Sequence, residues 1–127
     1  MSLPPLECAA VFNITFDCRE ASRVAEFWAA VTEYQLERVD MPGNQFWVAS
    51  PDDSRWPRLV FVTVPEEKVV KNRVHLDLMP GQAGQTRQLA RLRSLGASVV
   101  DDRRDLDPGG WVVLADPEGN EFDLEHG

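Results

Sequence analysis

At 127 residues the chain is long enough to bury a proper core without disulfides or metal staples, and one compact domain is expected. Its 13 Lys and Arg stand against 21 Asp and Glu, and the resulting net charge of −8 repels phosphate backbones and anionic lipid surfaces, so nucleic acid is not an expected partner. No apolar run approaches the roughly 20 residues that span a bilayer, so no membrane partner is expected either. Two cysteines, Cys8 and Cys18, with no signal-peptide pattern ahead of them, point to a reducing cytoplasm.

Residues 1–8, with Pro4 and Pro5 adjacent, read as a leader. "AAVFNITF", 9–16, is rich in β-branched and aromatic types and predicts a strand ended by Asp17. Asp17 and Glu20 have the spacing of a capping box, in which a side-chain oxygen takes an orphan helix amide and a glutamate reaches back. A helix follows, because Val24, Phe27, Trp28 and Val31 fall at i, i+3, i+4 and i+7. Three extended segments come next, at 34–39, 46–50 and 58–64, separated by the turn-rich "MPGN" and "SPDDSRWP".

The same order then recurs. "RVHLDLM" is extended, "GQTRQLARLRSLG" is a helix with Leu89 and Leu92 on one face and Gly96 to end it, and "SVV", "WVVLA" and "EFDLEH" are extended. Trp47, Pro51 and Asp52 in the first half are echoed by Trp111, Pro117 and Glu118 in the second. "DPGG" at 107–110 and "PEGN" at 117–120 lack the spacing of phosphate-binding loops and read as hairpin turns. Such duplication predicts a single α+β domain over 9–127, made of two βαβββ modules, about 9–64 and 72–127, joined by a solvated connector at 65–71. The modules are expected to form a curved mixed sheet around a concave cup, with the helices outside.

Alternation along the strands then selects the cup-lining side chains. Arg73, His75, Asp77 and Met79 share one face, and Val74, Leu76 and Leu78 the other, which must meet the helices. Glu121, Asp123 and Glu125 oppose Phe122 and Leu124 by the same logic, and Asn13 and Thr15 face the cup as well. Cys18 has no histidine near it in sequence, and buried structural thiols are inert, so a Cys–His enzyme is not expected. His75 and Asp123 are an imidazole and a carboxylate of the kind borderline metal ions take. The plain alternative, a satisfied strand histidine beside an ordinary strand-face acid, stays open on the residues alone. His126 lies three positions after Asp123 and faces the other side of its strand, so no second imidazole joins them. Trp28 belongs to the helix stripe; Trp56, in a polar loop beside Arg55 and Arg58, reads either as a ligand rim or dimer contact or as an edge cover.

The duplicated plan, with "AEFWAAV", "LVFVTVPEEKVVKNRVHLDL" and "WVVLADPEGNEFDL", resembles the glyoxalase and bleomycin-resistance group, the vicinal oxygen chelate superfamily, and in particular its small glyoxalase-like branch, over about residues 9–125. The resemblance implies a small-molecule ligand in the cup, a homodimer and, in metal-using members, one divalent ion such as Zn, Ni, Mn or Fe. Its ligand positions fall on Asn13, His75 and Asp123, with Asp123 as the proton-moving carboxylate. The fourth-strand position falls on Val62 or Phe61, neither of which binds a metal. Asp77, Trp56 and Trp111 join Asn13 and His75 as expected ligand contacts. Two functions follow from the resemblance: a metal-dependent lyase or isomerase, or a non-catalytic protein that sequesters a small molecule or drug. An interaction domain with an empty cup is a third reading.

Overall fold

The structure is a computed structural model; it describes residues 3, 5, 7–52, 55–106 and 109–127, and of Asn44 the backbone alone. Part of the expected leader, and Asp107 and Pro108 of the first glycine turn, lie outside the described residues. The chain divides into two compact units, Met1–Glu67 and Lys68–Gly127. The first contains β1 (Asn13–Cys18), α1 (Ala21–Thr32), β2 (Gln35–Met41), β3 (Asn44–Ser50) and β4 (Arg58–Thr63). The second contains β5 (Leu76–Leu78), α2 (Gln85–Leu95), β6 (Ser98–Asp102), β7 (Val112–Ala115) and β8 (Glu121–Leu124).

Each unit builds a four-stranded mixed sheet, in the order β1-β4-β3-β2 and β5-β8-β7-β6. The first and last strands of each unit pair in parallel and the others antiparallel. The expected α+β duplication is therefore present down to register. Ile14 opposes Leu59 and Phe16 opposes Phe61 in one unit, as Leu76 opposes Phe122 and Leu78 opposes Leu124 in the other.

In the first unit the apolar stripe of α1 buries Val24, Phe27 and Trp28. Trp28 lies 5.5 Å from the Phe16 ring, which stacks at 5.1 Å on Phe61. This fixes the Phe16 and Phe61 side as the buried face. In the second unit Leu89 and Leu92 of α2 are buried, as are Val112, Leu114, Phe122 and Leu124 of the sheet. Gln85 Nε2 ties the start of α2 to the carbonyls of Gly110 and Leu124. Gly96 ends α2 in the left-handed region, where a residue without Cβ is unstrained, and Ala97 N–H closes on the Leu92 carbonyl.

Two expectations are corrected. Asp17 lies inside β1, and α1 is capped at Glu20 without a side-chain cap bond; the Ala21 amide instead donates to Thr63 Oγ1 of β4 at 3.4 Å. A neighbouring strand thus supplies the acceptor that a local capping box would have given. The strand expected over 73–79 shrinks to Leu76–Leu78, and Val74 is 75% exposed rather than turned to the core. The connector 65–71 is exposed along its length, and Lys68 ties it to β8 by pairing with Glu121 at 2.9 Å.

The 117–120 turn joins β7 to β8 around Asp116, a buried carboxylate. Its oxygens accept from the Glu118 amide at 2.9 Å, the Asn120 amide at 3.0 Å and Asn120 Nδ2 at 2.8 Å. Asp116→Ala would leave these donors without their acceptor, and chemical denaturation should show a loss of about 2–3 kcal/mol. A loss under about 0.5 kcal/mol would show that the turn holds itself without the carboxylate.

Candidate functional site

Alternation along β8 turns Phe122 and Leu124 into the core and leaves Asp123 on the opposite, open face, half-buried. The parallel register of β5 and β8 sets Asp77 directly beside Asp123. Glu125, two residues on, shares that face, held in the ladder by its amide on the Leu78 carbonyl at 2.8 Å. Ligand oxygens of Asp77, Asp123 and Glu125 all lie within 4.8 Å of one another. Among the described residues no Lys or Arg is paired with any of the three.

Three crowded carboxylates cannot all carry full charge cheaply. Burial, then a hydrogen bond from and the like charge of Asp77, push the Asp123 carboxyl above its ordinary range; His75 acts against this and Glu125 with it.

His75 precedes β5, half-buried, and its Nε2 lies 2.8 Å from the Asn72 carbonyl. A carbonyl only accepts, so Nε2 carries a proton and donates; in the neutral ring Nδ1 is then the bare nitrogen. Asn72 is itself anchored, its amide donating to Glu121 Oε1 at 3.2 Å and its Nδ2 to Asn120 Oδ1 at 3.4 Å. Burial alone would raise the Glu121 carboxyl, but the Lys68 ammonium and the Asn72 amide outweigh it and hold Glu121 below its ordinary value. The chain Lys68–Glu121–Asn72 therefore orients the imidazole.

The other predicted residues have partners of their own. Asn13, in the first unit, accepts from Arg58 Nε at 2.9 Å through its Oδ1. The Trp56 ring meets Phe12 edge-on at 5.4 Å, and Trp111 lies 5.8 Å from the Arg103 guanidinium. Phe61 is fully buried on the α1 side, so of the two fourth-strand candidates only Val62 lies on the open face. At the register positions matching Asp77, Asp123 and Glu125 the first unit carries Thr15, Val60 and Val62. Glu125 was legible on the acid side of β8 through the Glu121, Asp123, Glu125 alternation; the Asn72 carbonyl carries no sequence signal at all.

Comparison with known proteins adds a family. A family model described as the glyoxalase-like domain matches residues 13–125. No curated protein sequence matches the chain. Among solved structures, a mutant of the genomically encoded fosfomycin resistance protein FosX from Listeria monocytogenes, complexed with Mn(II) and 1S,2S-dihydroxypropylphosphonic acid, superposes with TM-score 0.73 at 10% identity, covering 94% of each chain. FosX from Mesorhizobium loti gives 0.68 at 15% identity, over 96% of this chain and 93% of that one. A glyoxalase/bleomycin resistance protein/dioxygenase family enzyme from Burkholderia phytofirmans gives 0.67 at 17% identity, over 92% and 98%. At such identities the likeness is one of fold.

Proposed function

Because the chain belongs to the glyoxalase-like domain family, we propose that it binds a small molecule on the open sheet face of its second unit and acts on it as a divalent-metal-dependent lyase or isomerase. The observation that carries this reading is the convergence of Asp77, Asp123 and Glu125 within 4.8 Å, with no basic side chain paired to them among the described residues. An all-oxygen set of this kind suits Mn(II) and similar hard ions, and an imidazole with a bare Nδ1 extends the choice to Zn, Ni or Fe(II). The Mn(II) in the Listeria structure supports the same choice.

The bound ion would supply Lewis-acid stabilisation of a substrate oxyanion. The chain's own residues do the rest. Asp77 and Glu125 hold the site's negative charge in place, and Asp123, whose proton affinity burial and Asp77 raise, takes and returns the substrate proton. His75, oriented through Asn72, presents Nδ1. We assign Trp111 to a ligand contact in this unit, while Asn13 and Trp56, expected as contacts too, lie in the first unit; a homodimer in the cytoplasm completes the reading, in keeping with the two free thiols of Cys8 and Cys18. Among the described residues no helix is long and apolar enough to cross a membrane.

Untagged protein incubated separately with Mn(II), Zn(II), Ni(II) and Fe(II), then desalted, should retain about one equivalent of at least one ion, and His75→Ala should weaken that retention. Retention below roughly a tenth of an equivalent for every ion removes the metal-dependent reading. A second reading, a non-catalytic sequestering protein, is favoured by Thr15, Val60 and Val62, which give the first unit's matching positions no acid or base. It predicts a ligand-dependent rise in melting temperature with no product formed.

A further inference from the structure

Arg58 has an unusual set of partners for an arginine in a chain of net charge −8. It is half-buried at the start of β4, its Nε donates to Asn13 Oδ1 at 2.9 Å, and its guanidinium carbon lies 4.3 Å above the Phe12 ring. No acidic side chain among the described residues pairs with it. At the matching register position the second unit has Glu121, whose charge Lys68 balances. The first unit thus holds a half-buried positive charge with neutral partners only.

The geometry of those partners matters. Asn13 occupies Nε and the Phe12 ring lies against the guanidinium carbon, so the two terminal amino groups remain as a planar fork of donors. Phe12 is 47% exposed, and Trp56 meets its edge at 5.4 Å. Such a fork is the geometric match of a carboxylate, which accepts two parallel bonds from it, and aromatic side chains beside it suit an apolar body attached to that carboxylate. From this arrangement we infer that Arg58, positioned by Asn13 and Phe12, forms a carboxylate-binding seat in the first unit for a small aromatic acid whose ring packs on Trp56. The inference is independent of any metal, since it uses residues of the first unit alone.

Benzoate is the probe, titrated into metal-free wild-type protein with EDTA present and followed by the Trp56 indole N–H signal in two-dimensional NMR. The expected result is saturable movement of that signal, with benzyl alcohol and inorganic phosphate each binding at least roughly tenfold more weakly, because one lacks the charge and the other the ring. Arg58→Gln should weaken benzoate binding by at least about tenfold, and Arg58→Lys, which keeps the charge but not the fork, by several-fold. Should Arg58→Gln fail to fold, the lysine variant and the probe comparison on wild-type protein decide the matter. Equal binding of benzoate and benzyl alcohol, an unmoved Trp56 indole, or unchanged benzoate affinity in the folded variants would overturn the seat.

Discussion

Asp123→Asn is expected to raise the melting temperature of the metal-free protein at neutral pH while abolishing its retention of divalent cations. The two effects have one cause. Asp123 sits half-buried beside Asp77 and within reach of Glu125, so its charged form is disfavoured in the folded chain and its carboxyl titrates above the ordinary value. A folded-state pKa above the unfolded one means that the folded protein binds this proton more tightly. The associated stabilisation is complete below the unfolded value of about 3.9 and is lost as pH rises through the folded value.

At neutral pH the wild-type chain therefore bears the cost of a crowded carboxylate, and the asparagine does not. Thermal melts in EDTA should show the variant above the wild type near pH 7 and the two converging near pH 3.5, below the roughly 3.9 of an unfolded aspartate. Cation retention should fall by more than the roughly 10–100-fold that outer-shell partners of a metal typically cost, because a central donor is lost. A variant that melts lower at neutral pH and still retains metal would show that Asp123 is a structural acid and not the centre of the cluster.

Gly110→Ala is expected to be the most damaging single-methyl change in the chain. A Cβ built at Gly110 meets the Arg103 carbonyl oxygen at 1.7 Å and the Arg103 carbonyl carbon and Arg104 Cα at 2.6 Å. These are backbone atoms, pinned nearby by the Arg103 amide on the Trp111 carbonyl at 2.9 Å, and they cannot swing aside as a side-chain tip would. Gly110 is also buried, and its own carbonyl accepts from Gln85 at the start of α2. Separating the two strands by enough to admit the methyl would break both bonds, so the loss should reach about 4 kcal/mol or more, a large part of the stability of a small domain. Thermal melting should show a fall of more than about 10 °C or no cooperative transition. A fall of only a degree or two would mean that the β6–β7 connection yields locally.

Element type was legible in the residues because it is a local property. The i, i+3, i+4, i+7 stripe of Val24, Phe27, Trp28 and Val31 marked α1, Gly96 marked the end of α2, and alternation placed Phe122 and Leu124 inward and Asp123 outward, as the structure has them. The doubled βαβββ plan followed from those elements repeating in order. Where the local pattern misled, a distant group was responsible. Thr63 took the amide that Asp17 and Glu20 were expected to cap, and β5 begins only at Leu76, after a segment in which the Asn72 amide reaches across to Glu121 of β8.

The partners within the candidate site belong to the same second category. Sequence alone placed His75, Asp77 and Asp123 on one side of their strands, but not which of them would touch. That depended on the parallel register of β5 and β8, which sets Asp77 against Asp123, and on a carbonyl at Asn72 that takes the Nε2 proton of His75. Asn13 and Arg58 meet across 45 residues for the same reason. Hydrophobic periodicity encodes the conformation of a segment and the face it buries, whereas register between strands far apart in sequence is settled only when whole faces pack. The acids, the imidazole and the arginine were thus written in the chain, and tertiary pairing alone decided which of them stand side by side and which is left with donors unclaimed.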